Sequence, residues 1–450
     1  MYPDSDTIIA PATAVGVGAI TIIRLSGPHA RAYLNACFTP YKNSKLISHR
    51  LTYGSIVDNA GGVLDHVMAV YMQGPASFTR EDVVEVQCHA NPYIVKQIIA
   101  RFTALGARLA QPGEFTYRAF MNGRIDLAEA EAIAELIDAG SEASARIAVH
   151  HLEGSVSTLA HELREHLFQM LVVVEAYLDF PEDEVDNVHI DMLHESVDSV
   201  LTTTHALLHS FHTGRVLREG LSILILGKPN VGKSSLLNYL LGRDRAIVTE
   251  IPGTTRDFIE EHITLGHLPV KIIDTAGLRE SADIVEQAGV KLALDRVRDV
   301  DLVLYVVDGS QLDISELNMH GLALNGTPSL LVVNKADKFD SSTLRIEREH
   351  VCISAATGEG IDTLKNKIES SFTLPENTDS NVITEQRHFD IFSCVQREVN
   401  DFKAGLAHSL PGEFLACHLR DAMSALGKIT GETVPEDILN HIFSKFCVGK

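Results

Sequence analysis

Gly227–Ser234 reads G-K-P-N-V-G-K-S and fits G-x-x-x-x-G-K-[ST], the loop that cradles nucleotide phosphates. A random chain of this length carries the pattern with a probability of about 0.02. Its context lowers the odds of chance further: the apolar run Leu221–Leu226 predicts a buried strand before it, and Ser234–Leu241 predicts a helix after it. Gly227 and Gly232 let the backbone turn and aim its N–H groups, including those around Val231 and Ser235, at phosphate oxygens. The helix N-terminus adds positive partial charge. Lys233 is placed to reach the β- and γ-phosphates and Ser234 to hold Mg²⁺.

The base is chosen further along, at Asn334-Lys335-Ala336-Asp337, after the apolar run Leu330–Val333. Guanine carries a ring N–H and an exocyclic NH₂ on one edge, and the Asp337 carboxylate can accept from both. Adenine lacks that pair, so GTP is expected over ATP. Asn334 can reach the O6/N7 side, Lys335 can lie over the ring, and the Ser354-Ala355-Ala356 backbone can donate to O6. Between these segments, Asp274-Thr275-Ala276-Gly277 offers a carboxylate for Mg²⁺ through water and an N–H that senses the γ-phosphate. Thr255, in Thr254-Thr255-Arg256-Asp257, offers a second hydroxyl for Mg²⁺. Five pieces in this order predict a GTPase domain.

Many small GTPases orient the attacking water with a Gln directly after that glycine. Here the position is Leu278, which cannot hydrogen-bond water; Arg279, Glu280, Asp283 and Glu286 are the nearby candidates. Asn230 offers a carbonyl oxygen that could hold a cation near the β–γ bridge, and it equally suits a tight turn.

The elements around these residues divide the chain. Its 450 residues exceed one core. Residues 2–118 read as α+β, with strands expected at Thr7–Ala12, Ala19–Leu25, Val63–Met72 and Asp82–Gln87 and a helix over His89–Leu105. Arg24 and Glu85 sit on strand-like runs and are candidate ligand contacts. Asp126–His151, Leu159–Leu178 and Ile190–Leu217 are helical in pattern, with an acidic break at Asp179–Glu184 that reads as a solvated helix-breaking loop and not as a metal site. The α/β pattern runs from Leu221 to Phe372, Thr373–Asn381 reads as a linker, and helices resume near Glu385. The GTPase therefore interrupts a helical domain, and nucleotide-driven movement is expected to pass into its helices. The net charge of −22 argues against unaided binding of a polyanion over a large surface. Six scattered cysteines without a C-x-x-C pair fit a reducing cytoplasm. The start M-Y-P-D-S-D lacks the basic opening of a signal peptide, and no apolar run of about 18 residues predicts a membrane span.

These motifs, with D-T-I-I-A-P-A-T near the start, I-I-R-L-S-G at Ile22–Gly27, S-F-T-R-E-D-V-V-E-V at Ser77–Val86, P-G-E-F-T-Y-R-A-F at Pro112–Phe120, D-L-A-E-A-E-A-I at Asp126–Ile133 and the ending F-C-V-G-K at Phe446–Lys450, resemble the MnmE (TrmE) family of tRNA-modifying GTPases over essentially the full length. The resemblance implies an α+β N-terminal folate-binding and dimerisation domain (1–118), an all-α domain in two parts (119–214 and 377–450) and an inserted Ras-like α/β GTPase domain (215–376). It implies a cytoplasmic homodimer that joins the FAD enzyme MnmG in a heterotetramer or larger complex. Together they add a carboxymethylaminomethyl or aminomethyl group to C5 of the wobble uridine of certain tRNAs, with a 5-formyl- or 5,10-methylene-tetrahydrofolate as carbon carrier and tRNA bound mostly through the partner.

Carried over by position, the resemblance implies K⁺ held by Asn230, Thr249, Ile251 and Thr254, and Mg²⁺ held by Ser234 and Thr255. It gives Glu286 to the attacking water and Arg24, Glu85, Arg124 and Lys450 to the folate. Cys447 matches a cysteine tied to modification. Two departures stand out. The family's P-P-G-R-G-G loop is Ala14-Val15-Gly16-Val17-Gly18-Ala19 here, and Arg124 replaces a common lysine, keeping the charge but changing its geometry. Two other readings compete: a ribosome-assembly GTPase switch, disfavoured because no basic stripe follows the GTPase, and a folate enzyme with a regulatory GTPase and no RNA target.

Overall fold

Alternation of buried and exposed positions along the N-terminal strands sets the inner face of a sheet. The computed structural model describes residues 6–14, 16–179, 187–244, 260–266, 268–274, 297, 300–311, 327–340, 346, 348–372, 382–408 and 410–450. The chain divides into two compact units: residues 1–134, 151–168 and 423–450 in the first, and residues 135–150 and 169–422 in the second.

In the first unit, β1 (Ile8–Pro11), β2 (Ile20–Ser26), β3 (Phe38–Pro40), β4 (Thr52–Val57), β5 (Val63–Met72), β6 (Val83–His89) and β7 (Arg108–Leu109) pair in the order β3-β4-β5-β6-β2-β1-β7. All neighbours are antiparallel except β1 and β7. Helices α1 (Ala30–Cys37) and α2 (Pro92–Ala104) cover one face, where Leu34, Ile98 and Phe102 join Ile23, Leu25, Val84 and Val86. Each such buried side chain contributes about 1.5–3 kcal/mol. Cys37 and Cys88 lie in the same core, and burial pushes their thiols up to about 12 and about 11. The helix expected from His89 starts at Pro92. Asn91 Oδ1 accepts the N–H groups of Tyr93 (2.9 Å) and Ile94 (3.3 Å), and proline at the first helical position needs no partner for a missing N–H.

Helix α3 (Glu114–Met121) follows. The Ala-rich stretch over 126–151 is two helices, α4 (Leu127–Asp138) and α5 (Glu142–Leu152), because Ser141 Oγ accepts the N–H of Ser144 (3.1 Å) and starts a new helix after Gly140. Then come α6 (Ser155–Asp179) and α7 (Asn187–Glu219). Phe180–Glu184 and Thr373–Asn381, expected as an acidic loop and a linker, lie outside the described residues.

The second unit holds a six-stranded sheet of β8 (Leu221–Leu226), β9 (Glu260–Leu265), β10 (Leu268–Asp274), β11 (Leu302–Asp308), β12 (Ser329–Asn334) and β13 (His350–Cys352), in the order β13-β12-β11-β8-β10-β9, with α8 (Lys233–Asp244) and α9 (Ile361–Ser371). Every pairing is parallel except β9 with β10. A parallel strand covered on both faces must be apolar almost throughout. So Ile223 and Ile225 pack with Leu236, Leu240, Leu364 and Ile368, while Leu224 faces Ile273 and Val303 on the other side. Helices α10 (Gln386–Ala407), α11 (Gly412–Thr430) and α12 (Glu436–Ser444) complete the chain. Within the second unit α10 lies along α7, with the Phe211 and Phe389 rings 4.6 Å apart and Lys403 paired to Asp198 at 2.6 Å. Among the described residues, no helix is long and apolar enough to cross a membrane.

Candidate functional site

The turn from β8 into α8 is shaped by close backbone approach. Gly227 has φ +149°, and a Cβ there would meet Val306 O at 2.2 Å; Gly232 has φ +100°, and its Cβ would meet Asn334 Nδ2 at 2.1 Å. No side chain fits at either place, so the two glycines of the motif are required by packing as well as by phosphate access. Asn230 between them is exposed with φ 64°, a left-handed conformation that asparagine tolerates better than most residues. Lys233 Nζ lies over the loop and donates to the carbonyls of Gly227 (2.6 Å) and Lys228 (2.8 Å). Val231 is buried, while Ser234 and Ser235 are exposed on the first turn of α8. The result is a glycine-bounded turn at a helix N-terminus with the Lys233 ammonium over it, which suits a polyphosphate.

The loop after β12 is tied to this turn. Asn334 is 2% exposed; its Nδ2 donates to Val231 O (2.8 Å), and its Oδ1 accepts from Ala355 N (3.0 Å). The Asn334 amide, expected at the base edge, also clamps the phosphate loop to the Ser354–Ala356 loop, and one of its two Nδ2–H groups is enough for that bond. Lys335 has φ 67°, and its Nζ meets Asp308 Oδ2 at 2.5 Å. Burial pushes the Asp308 carboxyl up, but the hydrogen bonds from Lys335 and Ser310 outweigh it and hold the group below the usual carboxylate range. Asp337 is exposed, and its Oδ1 accepts from Ser354 Oγ at 2.6 Å.

Not every expected residue falls on this surface. Thr249, Ile251, Thr254, Thr255, Thr275, Ala276, Gly277, Leu278, Arg279, Glu280, Asp283 and Glu286 lie outside the described residues, and of Asp274 only its backbone, at the end of β10, is described.

A second cluster lies in the first unit. Arg24 on β2 and Glu85 on β6 face each other in register and pair through Nη2 at 2.8 Å. The guanidinium stands 5.7 Å from the Phe78 ring and 5.8 Å from the Phe115 ring, where cation–π attraction steadies it. Phe115 N donates to Lys450 O (3.2 Å), Gly113 N donates to Cys447 O (3.4 Å), and Pro112 bridges Val448. Gly449, at φ +96°, passes so close to β1 that a Cβ would meet Pro11 O at 2.0 Å. The terminal tetrapeptide is thus fastened at the start of α3 and against β1, and Phe115, whose N–H holds the Lys450 carbonyl, also carries the ring beside the Arg24 guanidinium. Cys447 is exposed there. Arg124 is exposed beyond the opposite end of α3. Val17, in the loop that departs from the family's pattern, is 91% exposed.

Behind this cluster is a charge network that sequence reading missed. Arg118 pairs with Asp6 (2.5 Å), Glu81 (3.2 Å) and the fully buried Glu114 (3.2 Å), and Arg108 pairs with Asp6 and Glu114, both at 2.5 Å. Burial raises the Asp6 carboxyl, but hydrogen bonds from Arg108 and Arg118 outweigh it and hold it below its ordinary value. Glu81 also accepts from Ser26 Oγ at 2.6 Å, which joins the network to the end of the Arg24 strand.

Known proteins share this plan. The family described as the MnmE helical domain matches residues 127–447, and the GTP-binding protein TrmE N-terminus matches residues 7–124. The tRNA modification GTPase MnmE of Geobacter sulfurreducens is 45% identical over 457 residues, covering 100% of both chains. That of Syntrophotalea carbinolica is 45% identical over 457 residues, covering 99% of this chain and 100% of its own. That of Acetivibrio thermocellus is 40% identical over 461 residues, with 100% of both covered. Among solved structures, the G domain of the T. maritima FeoB iron transporter aligns with 33% of this chain and 97% of its own, at 27% identity and a TM-score of 0.26. Full-length identity at this level, on a chain whose phosphate loop and base loop are clamped together by Asn334, places the chain in the MnmE family: it is a tRNA modification GTPase, a GTP hydrolase that takes part in tRNA modification.

Proposed function

We propose that this GTP hydrolase is stimulated by K⁺ and works with an FAD-dependent partner, MnmG, to add a carboxymethylaminomethyl or aminomethyl group to C5 of the wobble uridine, drawing its carbon from a tetrahydrofolate. One observation supports the reading: the last four residues are fastened against β1 and the start of α3, where Phe115 both holds the Lys450 carbonyl and stands against the Arg24 guanidinium that pairs with Glu85. A reduced folate carries a pterin edge with donors and an acceptor, and a glutamate tail with carboxylates. A carboxylate paired to an arginine can take the pterin edge, and the terminal lysine can take an anion. The folate, when bound, supplies the one-carbon unit; Arg24, Glu85, Arg124 and Lys450 bind and orient it, and Phe78 and Phe115 exclude water from one side of the arginine.

In the GTPase, Lys233, Ser234, Ser235 and the N–H groups from Asn230 to Ser234 hold the phosphates, Asp337 takes the guanine edge, and Ser354 and Ala355 shape the base loop. Ser234 and Thr255 are assigned to Mg²⁺, and Asn230, Thr249, Ile251 and Thr254 to K⁺. The donor sets fit: hydroxyl oxygens for the divalent ion, and amide and carbonyl oxygens for the monovalent one, with Asn230 exposed on the loop. These cations, when bound, supply positive charge against that developing on the transferred phosphoryl group. Glu286 orients water. The assembly is a homodimer bound to MnmG in the cytoplasm, and Cys447 serves modification at the folate site.

Nucleoside mass spectrometry of tRNA from a strain lacking the gene tests the reading. The wobble modification should vanish and return with the wild-type gene, while Lys450→Ala should leave GTP turnover intact and fail to restore it. Unmodified wobble uridine that persists in the complemented strain, or modification that survives in the deletion strain, would sink the proposal.

A further inference from the structure

Helix α7 meets the GTPase sheet through a single residue. It ends at Glu219, Gly220 turns with φ +85°, and β8 starts at Leu221. Such a junction could be a hinge. The last turn of α7 shows otherwise. Val216 is 1% exposed and packs within the GTPase core, and Leu217 is 0% exposed. Arg215 Nη2 donates to Asp301 Oδ1 in a short ion pair. Asp301, 8% exposed, uses its other oxygen to accept from Ser222 N (2.9 Å) and Ser222 Oγ (2.5 Å), and its own N–H donates to Ser222 O (3.0 Å).

The same turn grips the chain where it leaves the GTPase. Gly214 lies so close to it that a Cβ would meet Ile383 O at 2.2 Å. Arg218 Nη1 pairs with Glu385 (2.9 Å) and donates to Thr384 O (3.2 Å), and Thr384 Oγ1 donates to the buried Glu135 of α4. One helical turn therefore holds both crossings of the chain between the GTPase and the helices of this unit.

Ser222 and Asp301 are also well placed to report on the nucleotide. Ser222 lies at the start of β8, which ends at the phosphate loop. Asp301 immediately precedes β11, which ends at Asp308, the partner of Lys335 in the base loop. Two extended, hydrogen-bonded strands, each about 20 Å long, join the nucleotide loops to one ion pair.

We propose that the Arg215–Asp301 pair is the coupling contact that makes the GTPase sheet and α7 move as one lever, so that Arg215 is a positioning residue for tRNA modification and not for GTP turnover. This rests on the reading that the nucleotide cycle drives wobble-uridine modification. The separation of roles follows from the bonding. When Arg215 is removed, Asp301 keeps its bonds to Ser222, so the start of β8 and of β11 stay fixed to one another and Val216 stays packed in the core; what is lost is the ion pair that ties the two strand starts to the helix.

The test uses the full chain carrying Arg215→Ala or Asp301→Asn. Asparagine keeps the shape of Asp301 and an acceptor for Ser222 but cannot pair with the guanidinium as a carboxylate does. The readouts are GTP turnover of the purified variants and the modified fraction of wobble uridine in tRNA from strains holding each as the sole copy. Turnover should stay within about twofold of wild type while modification falls at least fivefold; the double variant should fall no further than either single, and Arg215→Lys should recover much of the loss. Unchanged modification in the folded variants would overturn the proposal. So would turnover that falls in parallel with modification, or a loss of fold in both variants, since the pair would then serve only the nucleotide site or folding. If the gene deletion itself leaves tRNA unchanged, the functional reading has failed and not this contact.

Discussion

Ser354 Oγ donates to Asp337 Oδ1 at 2.6 Å, so the exposed carboxylate of the base loop is oriented by a hydroxyl that is itself fully buried. A guanine edge meets a fixed acceptor there. Asp337→Asn replaces one acceptor oxygen with a donor. Two hydrogen bonds to a charged group are lost, at about 1.5–3 kcal/mol each. GTP affinity should fall by about 10²-fold or more, and xanthine nucleotide, which carries a carbonyl where guanine has NH₂, should take its place. Calorimetric titration with GTP and XTP decides this; equal affinity of the variant and the wild type for GTP would refute it.

Asn334 predicts a different phenotype. Its amide joins Val231 O to Ala355 N in a buried setting. Asn334→Ala leaves both backbone groups without that partner, at about 1–3 kcal/mol each. Loss of GTP and XTP binding should be similar, because the phosphate loop and the base loop come apart together. Xanthine selectivity appearing in this variant would contradict the clamp.

Asn230 can be tested without disturbing the backbone. Glycine accepts φ 64° freely, whereas alanine there adds strain of order 1 kcal/mol. In the wild type, turnover in K⁺ should exceed that in Na⁺ by on the order of tenfold or more, as expected for a cation standing in for an arginine finger. Asn230→Gly should bring the two salts together. A wild type indifferent to the two ions would end the K⁺ assignment.

Asp6 gives a pH signature. Its carboxyl is held below the ordinary value by Arg108 and Arg118. A depressed folded-state pKa adds stability that is fully present above the unfolded value, about 3.9, and is lost as pH falls through the folded value. Acid unfolding of the first unit, followed by near-ultraviolet circular dichroism, should therefore steepen below about pH 4. Asp6→Asn should be less stable at neutral pH and flatter in acid. A variant that tracks the wild type at every pH would show the network to be neutral.

Gly449→Ala tests the fastening of the terminal segment. The added Cβ would strike Pro11 O, and φ +96° disfavours any other residue. Modification of tRNA should drop sharply, with GTP turnover unchanged, by the same two assays used for Arg215→Ala.

The GTPase was legible in the sequence because its motifs follow apolar strands such as Leu221–Leu226 and Leu330–Val333; β9, E-E-H-I-T-L, has no such run and was not legible. Leu221–Leu226, expected as a strand from hydropathy alone, is β8 residue for residue. β4 was not legible. It mixes threonine, glycine and serine, and Gly54 is there because a Cβ would meet the Phe38 ring at 2.5 Å, a tertiary reason that leaves no local mark. The Arg118 network was hidden in the same way. Arg118 and Asp6 are 112 positions apart, and only the folded sheet brings them within bonding distance. For Asn334 the residue was legible and its geometry was not, since the motif named the amide but not the loop it holds.

Cys37 and Cys88 give the N-terminal sheet a built-in chemical reporter. Both thiols sit in its apolar core, raised far above neutrality and 1% and 2% exposed, while Cys417 and Cys447 are open to solvent. An alkylating reagent at neutral pH should label the exposed pair at once and reach the buried pair only when the sheet opens. Labelling followed at Cys37 and Cys88 themselves, apart from the half-buried Cys352 and Cys394 of the second unit, then clocks the opening rate of one unit in the intact chain, with no residue changed.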